Sequence, residues 1–402
     1  MPDSSSDIII IGTGGWTFAH ELAPTGKNIL LLKRGGEPDA HEHRNRHPRR
    51  RPACMTRDTT SGRDARLRPA ELRISCRRLV ASMLLSALFF SVPATAAVVK
   101  IEAICTTVHD LSRTERFYRD GLGFETVSRL TSDDPRLARL LGVEGVKLRT
   151  LVMRLGAERV EFIQFEKKGR AYPKDSRSPD LWFQHFAIVV SDMEKAYRHL
   201  QRFGITPISI GGPQILPPQN GRVRAFKFRD LDGHPLELLY FPAEQGRPVW
   251  HEQPVGRLFL GIDHSAIAVA DSAKSKAFYA GLLGMIPIYE VSNRGPTQEA
   301  LDGTLNAVVK ITGLRPRAAD GPGIEFLDYR SPPTGRPAPT DTQSNDTIHL
   351  HLTLLVDDLD KVVQALEREH ERLVSPGIVT LAGGERAVMV LDPDGHMIML
   401  EQ

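Results

Sequence analysis

The fourteen residues DLSRTERFYRDGLG, Asp110–Gly123, return as DSAKSKAFYAGLLG, Asp271–Gly284. In both, Asp is followed seven residues later by Phe-Tyr, and a Gly lies five residues past the Tyr. A repeat this long and this distant implies two copies of one fold. Every chemically interesting position therefore has a twin against which it can be checked.

Working outward, short strands alternate with one helix per unit from Val98 onward. A first module opens with a strand at Ile101–Val108, followed by the helix bearing Phe117 and Tyr118 and then three strands ending at Phe165. A second opens at Phe183–Val190, with a helix starting near Asp192 and a closing hairpin turned by Asp232-Gly233. A third opens at Gly261–Val269. A fourth opens at Thr347–Val356, and its last strands flank Asp394-Gly395. Pro-, Ser- and Lys-rich stretches separate paired modules. These boundaries predict domains at 98–241 and 258–402 with a linker at 242–257.

The βαβββ order, the FYxxxLG or FYxxLLG helix and the D-x-D-G-H hairpin resemble the vicinal oxygen chelate (VOC) superfamily. That family includes glyoxalase I, the bleomycin- and fosfomycin-resistance proteins and type I extradiol dioxygenases. The resemblance covers residues 98–402 and is strong for fold but weak for substrate. It implies an α+β fold of two tandem VOC domains. In each, two βαβββ modules form a cupped mixed sheet, with metal ligands on the first and last strands of each module.

Carried onto the repeat, those positions pair Ala103 with His264, Glu161 with Glu325, His185 with His351, and Glu237 with Met399. The resemblance implies that consecutive modules share a cup, so the N-terminal cup offers Glu161, His185 and Glu237. The C-terminal cup then offers His264, Glu325 and His351. Side chains two apart on a strand share a face. His349 therefore joins His351, and Glu401 could replace the missing carboxylate at Met399 if the last strand slips by one pleat. Imidazole plus carboxylate suits Fe(II), Mn, Zn or Ni. A metal with open positions acts as a Lewis acid and brings bound water toward a pKa of roughly 7. Arg224 and Arg386, at equivalent positions, are candidates to steer an anionic substrate, although an outer-face arginine is the commoner outcome. His234 and His396 read as turn residues, and Phe117, Tyr118, Phe278 and Tyr279 as core. The resemblance thus implies a metal-dependent lyase or extradiol-type dioxygenase acting on a small molecule with vicinal oxygens. The alternative is a non-catalytic sequestering protein of the resistance type. A homodimer is compatible with either.

Of 52 basic and 49 acidic residues, residues 1–96 hold 15 and 9. The remainder is weakly acidic, which argues against a nucleic-acid surface. Cys54, Cys76 and Cys105 show no metal spacing, and only Cys105 lies in the repeat, so no disulfide framework forms there.

Residues 7–35 read as strand, glycine turn, helix, strand. DIIIIGTGGWTFAHELAPTGKNILLLKRGG resembles the start of a glucose–methanol–choline oxidoreductase. Gly12 and Gly14 match, but Thr17 stands at the third glycine and Lys33 at the acidic ribose-binding position, which argues against FAD. One βαβ unit buries too little apolar surface to fold alone, so a remnant is expected. Residues 36–72, rich in Arg and His, lack apolar periodicity and read as disordered. Residues 73–96 carry a basic flank, the apolar run Leu79–Val92 and Ala94-Thr95-Ala96, the three parts of a secretory signal. A run of this length is too short for a permanent span. Translation would then start at Met55 or Met83 and the product would be exported; without signal function it would stay cytoplasmic.

Overall fold

The computed structural model describes residues 97–402, apart from residues 144, 146, 319 and 334, together with two short strands upstream. Those are β1 (Ile8–Ile11) and β2 (Ile29–Leu32), which pair in parallel. The glycine turn, the helix, the 36–72 stretch and the signal-like 73–96 stretch lie outside the described residues.

Module 1 comprises β3 (Val98–Thr107), β4 (Glu125–Ser132), β5 (Leu148–Leu155) and β6 (Glu158–Phe165). Module 2 comprises β7 (Gln184–Val190), the two-residue strands β8 (Thr206–Pro207) and β9 (Gln214–Ile215), β10 (Arg224–Arg229) and β11 (Pro235–Tyr240). Module 3 comprises β12 (Phe259–Val269), β13 (Ile286–Arg294), β14 (Val308–Arg315) and β15 (Gly323–Ser331). Module 4 comprises β16 (Leu350–Val356), β17 (Val379–Thr380), β18 (Arg386–Leu391) and β19 (Met397–Glu401). The expected α+β architecture of four βαβββ-type modules is present.

The repeated aspartates are helix caps. Asp110, Asp271, Asp192 and Asp358 all have extended backbones, and their carboxylates accept from N–H groups of the first helical turn. Both Phe-Tyr segments widen into a π-helical turn, Phe117–Gly121 and Ala277–Leu282. The reward is a matched contact. Tyr118 donates to Asp230 at 3.0 Å and Tyr279 to Asp392 at 3.1 Å. The two sequence motifs, helix and D-x-D-G-H turn, are therefore two ends of one buried hydrogen bond. Each Asp also accepts from its own turn histidine, His234 or His396, at 3.0 Å.

The sheets do not follow the sequence halves. One runs β13-β14-β15-β12-β7-β11-β10-β8 and joins modules 3 and 2. The other runs β17-β18-β19-β16-β3-β6-β5-β4 and joins modules 4 and 1. The joints are the antiparallel pairs β12–β7 and β16–β3. The expectation that modules 1 and 2 share one cup, and 3 and 4 the other, is thus corrected.

Alternation along the strands sorts residues cleanly. Phe186, Ile188, Phe226, Leu238, Ile267 and Phe326 enter the main core with the helices. Their neighbours His185, Ala187, Lys227, Glu237, Ala266 and Glu325 face the concave side.

Candidate metal centre

The concave face of the module 2–module 3 sheet gathers all four ligand positions. They stand on four adjacent strands, β11, β7, β12 and β15. The register places Ala187 between Glu237 and His264, and Ala266 between His185 and Glu325. Ligand and small residue alternate as on a checkerboard, and the missing bulk at Ala187, Ala266 and Gly323 leaves room for the four long side chains to lean together.

Their tips meet. His185 Nε2 lies 3.2 Å from Glu237 Oε2. His264 Nε2 lies 3.8 Å from the same oxygen and 3.4 Å from Glu325 Oε2. Donor atoms of His185, Glu237 and His264 all fall within 4.8 Å of one another, the one such group among the described residues. His264 Nε2 is buried with no hydrogen-bond partner. A buried polar atom without a partner is costly, and here it faces two carboxylates across a gap that a divalent cation would fill. Two imidazoles and two carboxylates form a donor set for Fe, Mn, Zn or Ni, so the residues fit a metal.

The charges around these groups are uneven. Burial pushes His185 down to about 4. Burial also acts to raise Glu237, but Lys227 and the His185 hydrogen bond outweigh it and hold that carboxyl at about 2. Burial works against the His264 cation, yet Glu325, Asp263 and Glu237 bring it up to about 9. Burial raises Glu325, which accepts from the Tyr289 hydroxyl. Lys227, beside Glu237 in register, donates to Asp302 at 2.7 Å. Asp302 ends the helix Pro296–Asp302 and also accepts from Gln298 at 2.7 Å.

The cluster lines a cavity of about 530 Å³. Leu216, Val223, Leu239, Phe241, Ile311 and Leu327 supply much of its apolar wall. The size and lining are those of a small-molecule site.

The other cup holds the twins Ala103, Glu161, His351 and Met399, and these do not gather. Thr353, Cys105 and Arg159 stand where the first cup has Ala187, Ala266 and Gly323. Cys105 Sγ lies 3.7 Å from Glu161 and 3.6 Å from Thr353, and Arg159 pairs with Glu161. His351 bonds His349 at 2.9 Å, so the two do share a face. The hollow that would be a cavity is filled by Leu141, Phe165, Met389 and Met397, with Met399 packed against them. A shallow hollow of about 360 Å³ reaches Ala103 but touches neither Glu161 nor His351.

Several expected roles are corrected. His351 and Glu161 belong to the filled cup, away from His264, Glu325, His185 and Glu237. Glu401 does not replace Met399, because β18 and β19 pair without a register shift, Met389 opposite Met399 and Ala387 opposite Glu401. Arg224 and Arg386 face the helix-covered side, in phase with Phe226 and Val388. Arg386 forks onto Asp360 at 2.7 and 2.9 Å, and Arg224 lies 3.9 Å from Glu194 and over the Tyr240 ring. Lys227, Tyr289, Asp263 and Asp302 had no motif to announce them. Comparing Lys227 with its twin Met389 would have marked one cup as polar.

A family model described as the Glyoxalase/Bleomycin resistance protein/Dioxygenase superfamily matches residues 100–238 and 261–400. The chain belongs to this superfamily. Among solved structures, glyoxalase I from Zea mays is 15% identical with a TM-score of 0.50, over 75% of this chain and 92% of that one. A variant of the same maize enzyme gives 17% and 0.51 over the same shares. A putative dioxygenase from Bacillus subtilis is 14% identical with a TM-score of 0.48, over 76% of this chain and 85% of that one. Likeness at this identity speaks for the fold alone. No curated protein matches. Within the described residues no helix is long and apolar enough to cross a membrane.

Proposed function

We propose that the module 2–module 3 cup is a divalent-metal centre acting on a small substrate that presents two neighbouring oxygens, with glyoxalase-type proton transfer as its chemistry. The observation that carries this reading is the convergence of His185, Glu237, His264 and Glu325 in the wall of one cavity. When bound, the metal supplies Lewis acidity to an oxygen of the substrate. His185, Glu237 and His264 hold the site. Glu237 is committed to this task, since Lys227 and His185 already stabilise its anion. Glu325 has only a hydroxyl and His264 against it, which leaves it the better placed to accept a proton from the carbon beside a carbonyl. The Tyr289 hydroxyl fixes its orientation. The apolar wall lowers the polarity of the surface against which the substrate would lie.

The test is metal analysis of the full chain after anaerobic reconstitution with Fe, Mn, Zn or Ni. About one ion per chain is expected, since His185, Glu237 and His264 form one such group among the described residues. His185→Ala with His264→Ala should abolish it, and His351→Ala should not. Metal that survives the first variant or follows the second overturns the assignment. Consumption of O₂ with a catechol by the Fe(II) form would replace proton transfer with ring cleavage. Ligand-induced thermal stabilisation that persists in chelator would favour a binding protein.

A further inference from the structure

The stretch joining modules 2 and 3 carries a short helical turn, Pro248–Trp250. It spans the two modules that share the metal cup, and one of its side chains reaches the ligand shell. The Trp250 indole N–H donates to Asp263 Oδ1 at 2.9 Å. The other oxygen of that carboxylate, Oδ2, accepts from His264 Nδ1 at 3.1 Å. The Arg247 guanidinium lies over the Trp250 ring at 4.4 Å, and its Nε is 3.6 Å from Asp263 Oδ1. Arg247 also donates to the Gly321 carbonyl at 2.7 Å, just ahead of β15.

We infer that Trp250 is a positioning residue for the metal centre: acting through Asp263, it fixes the ring of His264 so that Nε2 faces Glu237 and Glu325. This rests on the metal reading proposed above. The chemistry is direct. A carboxylate that accepts from Nδ1 leaves Nε2 as the ligating nitrogen and orients the ring. Such a carboxylate must itself be held, and here the indole N–H and the arginine hold its far oxygen. Packing confirms that the indole sits in a fitted place. Trp250 is buried. A Cβ on Gly261 would come within 2.9 Å of its ring and 2.8 Å of Glu158. The twin cup lacks the device. Glu102 replaces Asp263 and pairs with Lys100, and Ala103 replaces the histidine. The linker is thereby part of the site as well as a tether.

The experiment compares full-chain wild type, Trp250→Phe and Asp263→Asn. Each is titrated with Co(II), read by calorimetry and by visible absorption, and melted without metal. Trp250→Phe keeps an aromatic ring beneath Arg247 while deleting the indole N–H together with part of the ring that packs at Gly261. The expected result is Co(II) binding weakened about tenfold to a hundredfold in both variants and a changed absorption band at saturating Co(II), which lost packing alone would not give; the metal-free melting temperature falls modestly, as loss of a hydrogen bond to a buried carboxylate requires. Wild-type affinity in Trp250→Phe overturns the inference. So does a wild-type absorption band at saturating Co(II) in both variants, since the His264 ring would then be held without them. Wild type that fails to bind Co(II) overturns the metal reading itself, and is recognised before any variant is compared.

Discussion

Thr353 and Cys105 are only slightly larger than Ala187 and Ala266, and Arg159 sets a whole cationic side chain where Gly323 has none; these differences separate an open site from a satisfied one. In the filled cup, Glu161 already has a cation and a thiol against it. In the open cup, Glu325 and Glu237 both face the unpartnered Nε2 of His264, besides the Tyr289 hydroxyl on one and His185 on the other. Lys227 is the clearest single residue of this contrast. Burial works against its charge, but Asp302 and Glu237 hold the ammonium above its ordinary value. Removing one partner of a buried pair costs about 3–5 kcal/mol, while replacing both by apolar groups is often neutral. Lys227→Met should therefore destabilise the protein by about that amount. Lys227→Met with Asp302→Leu copies Met389 and Leu141 of the filled cup and should recover most of the loss, short of the bond that Gln298 gives up. Urea unfolding of the three proteins checks this; a double variant no more stable than the single would refute the equivalence. The position of each ligand was legible in sequence because the repeat supplied its register. Lys227 and Asp302 were not, since a lone charged residue on a strand usually faces solvent.

At the scale of elements, the helix and hairpin motifs are legible in sequence for a physical reason. The cap Asp, the Phe-Tyr pair and the D-x-D-G-H turn each need particular side chains at fixed offsets. What the sequence did not display is that Tyr118 and Asp230, or Tyr279 and Asp392, meet. Tyr118→Phe leaves the ring in the core and removes a hydrogen bond to a buried carboxylate, a loss of about 1.5–3 kcal/mol. The same triads set a pH dependence. Burial acts to raise Asp230 and Asp392, but their histidines outweigh it and hold both below the usual carboxylate range. Burial acts to lower His234 and His396, but the aspartates outweigh it and hold both above the usual imidazole range. A lowered acid contributes stability above its unfolded pKa, about 3.9, that is lost as pH falls through the folded value. A raised base contributes stability below its unfolded pKa, about 6.5, that is lost as pH rises through the folded value. The contribution of the triads should then be greatest in mildly acidic solution and decline as pH climbs past neutrality, whereas burial of neutral His185, His349 and His351 contributes stability that is lost as pH falls below about 6.5. His234→Asn should flatten that alkaline decline, measured by denaturant unfolding across pH; an unchanged slope would count against the triad as its source.

For the whole molecule, the decisive fact is that each sheet is stitched across the two sequence halves at β7–β12 and β3–β16. Grouping by neighbours in sequence scattered the ligands three and three, with one gap in each set. Grouping by sheet collects four in one cup and leaves two twins in the other. A clue was present, since modules 2 and 3 each keep both ligands while modules 1 and 4 have each lost one. Contacts between distant modules, however, are written in tertiary packing and not in local pattern. A cut in the exposed linker after Val255 leaves Trp250 with the first half and tests the arrangement directly. Residues 97–255 alone would expose β3 and β7 as unpaired edges, and residues 256–402 alone would expose β12 and β16. Each fragment should self-associate or precipitate, and neither should bind metal, because His185 and Glu237 lie on one and His264 and Glu325 on the other. Refolded together, they should elute as a one-to-one complex and recover the single ion. Fragments that stay separate as folded monomers, or a metal held by either alone, would show that the cups close within each half.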